Sequence, residues 1–103
     1  MQDVVPKEAE EKIKNGARVI DVRTKEEYSA GHIGGSVNIN VSEQSFTEEI
    51  MKLSKDSEYV VYCQSGGRSS TAQKIMSGLG FKNVYNLSGG ITEWKREEMP
   101  TEK

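Results

Sequence analysis

"YVVYCQSGGRSSTAQKIMSGLG", residues 59–80, reads as a strand, a glycine turn and a helix in immediate succession. Tyr59 to Tyr62 form a short apolar and aromatic run of the kind that fills a buried strand. Gly66 and Gly67 then turn the chain, and a helix is expected from about Ser69. On it Ala72, Ile75, Met76 and Leu79 recur at i, i+3, i+4 and i+7, with Gly80 suited to its C-terminal cap. Cys63, the only cysteine, stands where the strand ends. It is either a small hydrophobe closing a buried strand or a nucleophile seated in an anion cradle.

The same alternation continues on both sides. Val4-Val5 is a short first strand, and Pro6 suits the first turn of the helix "KEAEEKIK", which Asn15-Gly16 stops. "ARVIDV" (17–22) reads as a buried strand, and "TKEE" (24–27) as a capping box opening a short helix. "GHIGG" is a turn, and "SVNINV" (36–41) a strand of about six residues. Ser45 and Glu48 suggest a second capping box, ahead of a helix with Phe46, Ile50 and Leu53 on one face. "KNVYNL" is the last strand, and "SGGITEW" a turn into the last helix. Strands alternating with helices of this length predict an α/β fold, a parallel sheet covered on both faces. Such sheets bind ligands at the carboxyl ends of their strands, where Cys63 falls.

A chain of 103 residues fits one domain, 1–103, with about 98–103 expected as a flexible tail. No apolar run is long enough to span a bilayer, and the N-terminal stretch does not read as a signal peptide. A lone cysteine makes no internal disulfide, so a reducing, cytoplasmic setting is the expectation. The net charge of -2 argues against a nucleic-acid surface. All 16 acidic residues lie outside residues 59–92, a window holding Arg68, Lys74 and Lys82, and this reads as attraction for a small anion.

Gly66 and Gly67 let successive N–H groups face inward at a helix N-terminus, the form of an anion-binding nest. A thiol at its base would ionise readily, since cysteine pKa values in such places fall from ~8.5 to between ~3.5 and ~7.5. Arg68 adds a positive charge with a two-pronged fork for an anion. Tyrosine and dual-specificity phosphatases place five residues between cysteine and arginine. Only Gln64, Ser65, Gly66 and Gly67 lie between Cys63 and Arg68, and Ser69 takes the position of a phosphatase arginine. The smaller ring suits a smaller group, such as one sulfur atom carried on the cysteine.

"CQSGGRSS" resembles the active-site loop of single-domain rhodanese-like sulfurtransferases. "VIDVRTKEEYSAGHIGGSVNI" (19–39) and "LSGGITEW" (87–94) are similar to that family's N- and C-terminal signatures. The resemblance implies a five-stranded parallel sheet with helices on both faces. It also implies transfer of sulfane sulfur from thiosulfate or another persulfidic donor through a Cys63 persulfide. The acceptor would be cyanide, a cellular thiol or a protein. Gln64, Ser65, Gly66, Gly67, Arg68 and Ser69 would bind the donor, with Arg68 on its sulfonate. No cofactor, metal, membrane or nucleic-acid partner is implied.

Asp21 and Arg23 end a strand and resemble family positions, expected near the cysteine loop; Arg23 could touch an anionic donor, but a structural ion pair is favoured. His32, the only histidine, reads as a turn residue bonded to backbone or to Asp21, not as a base. Gly89-Gly90 read as a tight turn bringing the last helix close to the cysteine loop, and Tyr62 should point away from the nucleophile. Two other functions stand beside sulfur transfer: a non-catalytic binding or regulatory module of the same fold, and a phosphatase or arsenate-reductase-like enzyme.

Overall fold

A computed structural model describes residues 2–103. The strands are β1 (Gln2–Val4), β2 (Arg18–Asp21), β3 (Val37–Asn38), β4 (Glu58–Tyr62) and β5 (Asn83–Leu87). The helices are α1 (Pro6–Lys14), α2 (Lys25–Ala30), α3 (Phe46–Ile50), α4 (Gly67–Gly78) and α5 (Gly90–Arg96). One five-stranded sheet has the order β1-β5-β4-β2-β3, and every pairing is parallel. β4 therefore lies at its centre, flanked by β2 and β5, as its continuous apolar run requires.

Alternation along β4 builds two cores. Tyr59, Val61 and Cys63 join Ile20, Val22, Phe46, Ile50, Ala72 and Met76 on one face. Val60 and Tyr62 join Val4, Ala9, Val19, Ile91 and Trp94 on the other. Helices α3 and α4 thus cover the cysteine face, and α1 and α5 the opposite one. Tyr62 points away from Cys63 as expected, its hydroxyl within 3.2 Å of Ser36 Oγ and accepting from the Ile33 N–H at 3.0 Å.

Three local expectations need correction. The strand read over 36–41 keeps its ladder register only at Val37–Asn38: Ile39 N still donates to the Asp21 carbonyl at 2.9 Å, but Val41 N reaches the Val22 carbonyl, while Asn38 Nδ2 takes those of Asp21 and Arg23. The Ser45–Glu48 capping box does not form. Ser45 already sits in a helical turn, and its hydroxyl donates to Glu49 at 3.0 Å. Helix α4 begins at Gly67, two residues before Ser69, with Gly66 as a left-handed N-cap at φ 118°. By contrast the Thr24–Glu27 box is present, with donors satisfied in both directions.

The end of the chain, expected as a frayed tail, folds back. Trp94 Nε1 donates to the Pro100 carbonyl at 2.9 Å, and His32 and Glu102 exchange two backbone hydrogen bonds. Met99 packs against the Trp94 core.

Candidate active site

Cys63 follows the last residue of β4 and is 1% exposed. Its surroundings carry features of both expectations. It belongs to the core cluster of Val22, Val61 and Ala72, while its sulfur is ringed by donors. The Gly66 N–H lies 3.1 Å from Sγ, and the Ser69 N–H and hydroxyl each lie at 3.4 Å. Burial pushes the thiol upward, but the Ser69 hydroxyl and the Ser69, Gly66 and Ser65 amides outweigh it, leaving the thiol below its ordinary pKa. The hydrogen bonds to Sγ come from Gly66 and Ser69. Gln64 and Ser65 are exposed above the sulfur.

The loop is shaped from the far side by α5. Ile91 N donates to the Cys63 carbonyl at 3.0 Å and Thr92 N to the Gln64 carbonyl at 3.1 Å. In a trans peptide the N–H points opposite its carbonyl. Pinning these two carbonyls on α5 therefore turns the Gln64 and Ser65 amides the other way. The approach is possible because Gly90, at φ 60°, has no side chain: a Cβ there would lie 2.5 Å from both carbonyl oxygens. Gly89, also left-handed, is the N-cap of α5. Gln64 ties loop and helix at the surface, donating Nε2 to Thr92 Oγ1 at 2.9 Å.

Asp21 and Arg23 brace the loop from below. Arg23 Nη2 lies 2.7 Å from Asp21 Oδ2, and its Nε reaches both carboxylate oxygens at 3.0 and 3.1 Å. Nη2 also donates to the Gly31 carbonyl at 2.7 Å, and Nη1 faces Gln64 Oε1 at 3.5 Å. With Arg23 3% exposed and so engaged, the tentative donor-binding role gives way to the ion pair. His32 bonds the Tyr28 carbonyl through Nδ1 at 2.9 Å and stacks on the Tyr28 ring at 3.8 Å, the backbone alternative of the two expected.

Two participants escaped the sequence reading. Asn86 on β5 is buried, and the Ser69 hydroxyl donates to its Oδ1 at 2.5 Å. A hydroxyl carries one proton, so Asn86 Oδ1 at 2.5 Å, the Gly66 carbonyl at 3.2 Å and the sulfur at 3.4 Å compete for it, and the Asn86 contact is the shortest. Glu27, on α2, holds Arg68 with both oxygens, at 2.8 and 3.0 Å. The bond from Arg68, assisted by Thr24, brings the Glu27 carboxyl down to about 2. Two of the three cations of the window are paired in space, Arg68 with Glu27 and Lys82 with Asp56, both acids from outside it, which leaves Lys74.

A buried thiol under an amide loop at the carboxyl end of the central strand of a parallel sheet stands where open α/β proteins bind their ligands. The rhodanese-like domain family model matches residues 5–97. The chain belongs to that family. It is 35% identical to the thiosulfate sulfurtransferase GlpE of Pseudomonas paraeruginosa, over 91% of this chain and 84% of that protein. In structure it resembles a rhodanese-related protein of Thermoplasma volcanium, with a TM-score of 0.89 and 33% identity, covering 99% of this chain and 98% of that one. It also resembles the human single-domain sulfurtransferase TSTD1, with a TM-score of 0.79 and 32% identity over 92% and 96% of the two chains.

Proposed function

We propose that this protein is a rhodanese-type sulfurtransferase that carries one sulfur atom on Cys63. The observation that carries the reading is the ring of donors at Sγ, two of them amides held by the loop. With thiosulfate as donor, the Cys63 thiolate attacks the outer sulfur. The S–S bond of the donor breaks, and sulfite leaves with its electron pair. Cys63 then bears a persulfide, R–S–S⁻, whose charge the same donors stabilise. An acceptor nucleophile, a thiolate or cyanide, attacks the outer sulfur, takes it, and returns the Cys63 thiolate. No base is needed, since the attacking group is already ionised, and the two half-reactions give ping-pong kinetics.

The chain has one cysteine, so the persulfide cannot close an internal disulfide and must meet an external acceptor. A reducing cytoplasm, rich in thiols, suits such a carrier. The net charge of -2 gives no support to a nucleic-acid partner. The four-residue spacing between Cys63 and Arg68, with Arg68 tied to Glu27, speaks against a phosphatase.

The test is an intact-mass measurement after incubation with thiosulfate, and in parallel with an organic persulfide. The expected result is a gain of one sulfur atom that cyanide removes, with no gain in Cys63→Ser. If neither donor adds sulfur, a binding or regulatory module is the better account; hydrolysis of aryl phosphate without sulfur uptake would favour the phosphatase.

A further inference from the structure

Arg68 and Arg23 are the cations that the loop and its floor supply, and both are committed to carboxylates. Arg68 meets Glu27 in a two-pronged pair, and Arg23 meets Asp21 in another. Lys74, the remaining cation of the acid-free window without an ion pair above, is exposed and six residues beyond Arg68 on α4. At 1.5 Å of rise per residue it lies about 9 Å further along the helix axis. Glu27 is moreover fixed in place: its Oε1 accepts from the Thr24 N–H and hydroxyl, both at 3.1 Å, as well as from Arg68. An incoming sulfonate must displace a carboxylate already positioned by its own helix cap. With both ion pairs neutral and the sulfur ionised, the mouth of the loop carries net negative charge before any donor arrives.

We infer that Glu27 sets donor specificity, neutralising Arg68 so that the site favours persulfides R–S–SH carrying at most one negative charge over dianionic thiosulfate. The inference rests on the sulfur-transfer reading above. With such a donor the Cys63 thiolate attacks the outer sulfur, the R–S–SH bond breaks, and R–S⁻ leaves with the electron pair. Cys63 then holds S–SH, which loses its proton to water. No oxidant or reductant is consumed.

The test follows the rate of sulfur loading onto Cys63 by intact mass in the full chain, using thiosulfate and 2-hydroxyethyl persulfide as the two probes. Wild type is expected to load faster from the persulfide. Glu27→Gln, which retains a side chain able to complete the Thr24 cap, is expected to raise the thiosulfate-to-persulfide rate ratio about tenfold. A wild-type measurement stands independently of that variant. A dianion approaching a mouth without spare positive charge should load at a rate that is flat or rises with added salt, as screening weakens repulsion. A steep fall with salt, or an unchanged ratio in folded Glu27→Gln, overturns the inference while sulfur transfer itself stands. Failure of both probes to load Cys63 overturns the sulfur-transfer reading, and the inference with it.

Discussion

Asp21→Ala is expected to lower unfolding stability by about 3–5 kcal/mol, the cost of leaving a buried charge without its partner. Asp21 is fully buried and Arg23 is 3% exposed, so solvent cannot take over the neutralisation. Three of the hydrogen bonds of the Arg23 guanidinium end on this one carboxylate, and of its hydrogen bonds only those to the Gly31 carbonyl and the distant Gln64 oxygen would remain. A domain of this size has roughly 5–15 kcal/mol of stability in total, so the loss is a large fraction. Urea unfolding followed by far-UV circular dichroism checks it. Asp21→Ala/Arg23→Met, which removes both charges, should recover much of the deficit. A midpoint unchanged in Asp21→Ala would mean that the pair does not hold the strand end.

Gly90→Ala is expected to cost about 2–4 kcal/mol, combining left-handed strain at φ 60° with overpacking against backbone. The atoms a methyl group would strike are the carbonyl oxygens of Cys63 and Gln64, each at 2.5 Å, and neither can swing aside as a flexible side chain would. Relief requires α5 to retreat from the loop, breaking the Ile91 and Thr92 bonds that aim the loop amides. The variant should therefore lose sulfur-loading rate as well as stability. Thermal unfolding together with the mass assay reads both, and a stable variant that loads at the wild-type rate would sever α5 from the site. Gly89→Ala makes a useful contrast, because its Cβ would meet the Glu93 side chain at 2.5 Å rather than the loop.

The layered sheet was legible because each strand and helix carries its own periodicity: the run Tyr59–Tyr62, the Ala72–Met76 stripe and the Thr24–Glu27 box each act locally. Five strands were read from the residues, the family resemblance implied the same number, and the sheet agrees with both. What misled was non-local or side-chain chemistry. Nothing in "SVNINV" announces that the ladder register will hold only at Val37–Asn38, or that the Asn38 side chain will take the carbonyls of Asp21 and Arg23. The pairing of Glu27 with Arg68 joins residues 41 apart, so a window of sequence without acids could be mistaken for a positive surface. Asn86 reads in sequence as an ordinary strand residue, and only the register of β5 beside β4 carries it to Ser69. The cysteine and its glycine turn were visible because a reactive thiol needs donors, and a tight turn at a helix start is the nearest source of them; Ser69 was expected to bind the donor, not to bond the sulfur.

Cys63 can act as proposed only if the loop donors keep the lone sulfur ionised despite its burial, and the pH dependence of its alkylation by iodoacetamide measures this directly. The midpoint should fall below the ordinary value of about 8.5, and Ser69→Ala should move it upward by about half a unit to one unit. A wild-type midpoint at or above 8.5 would contradict the account, because burial would then outweigh the donors at Ser69, Gly66 and Ser65.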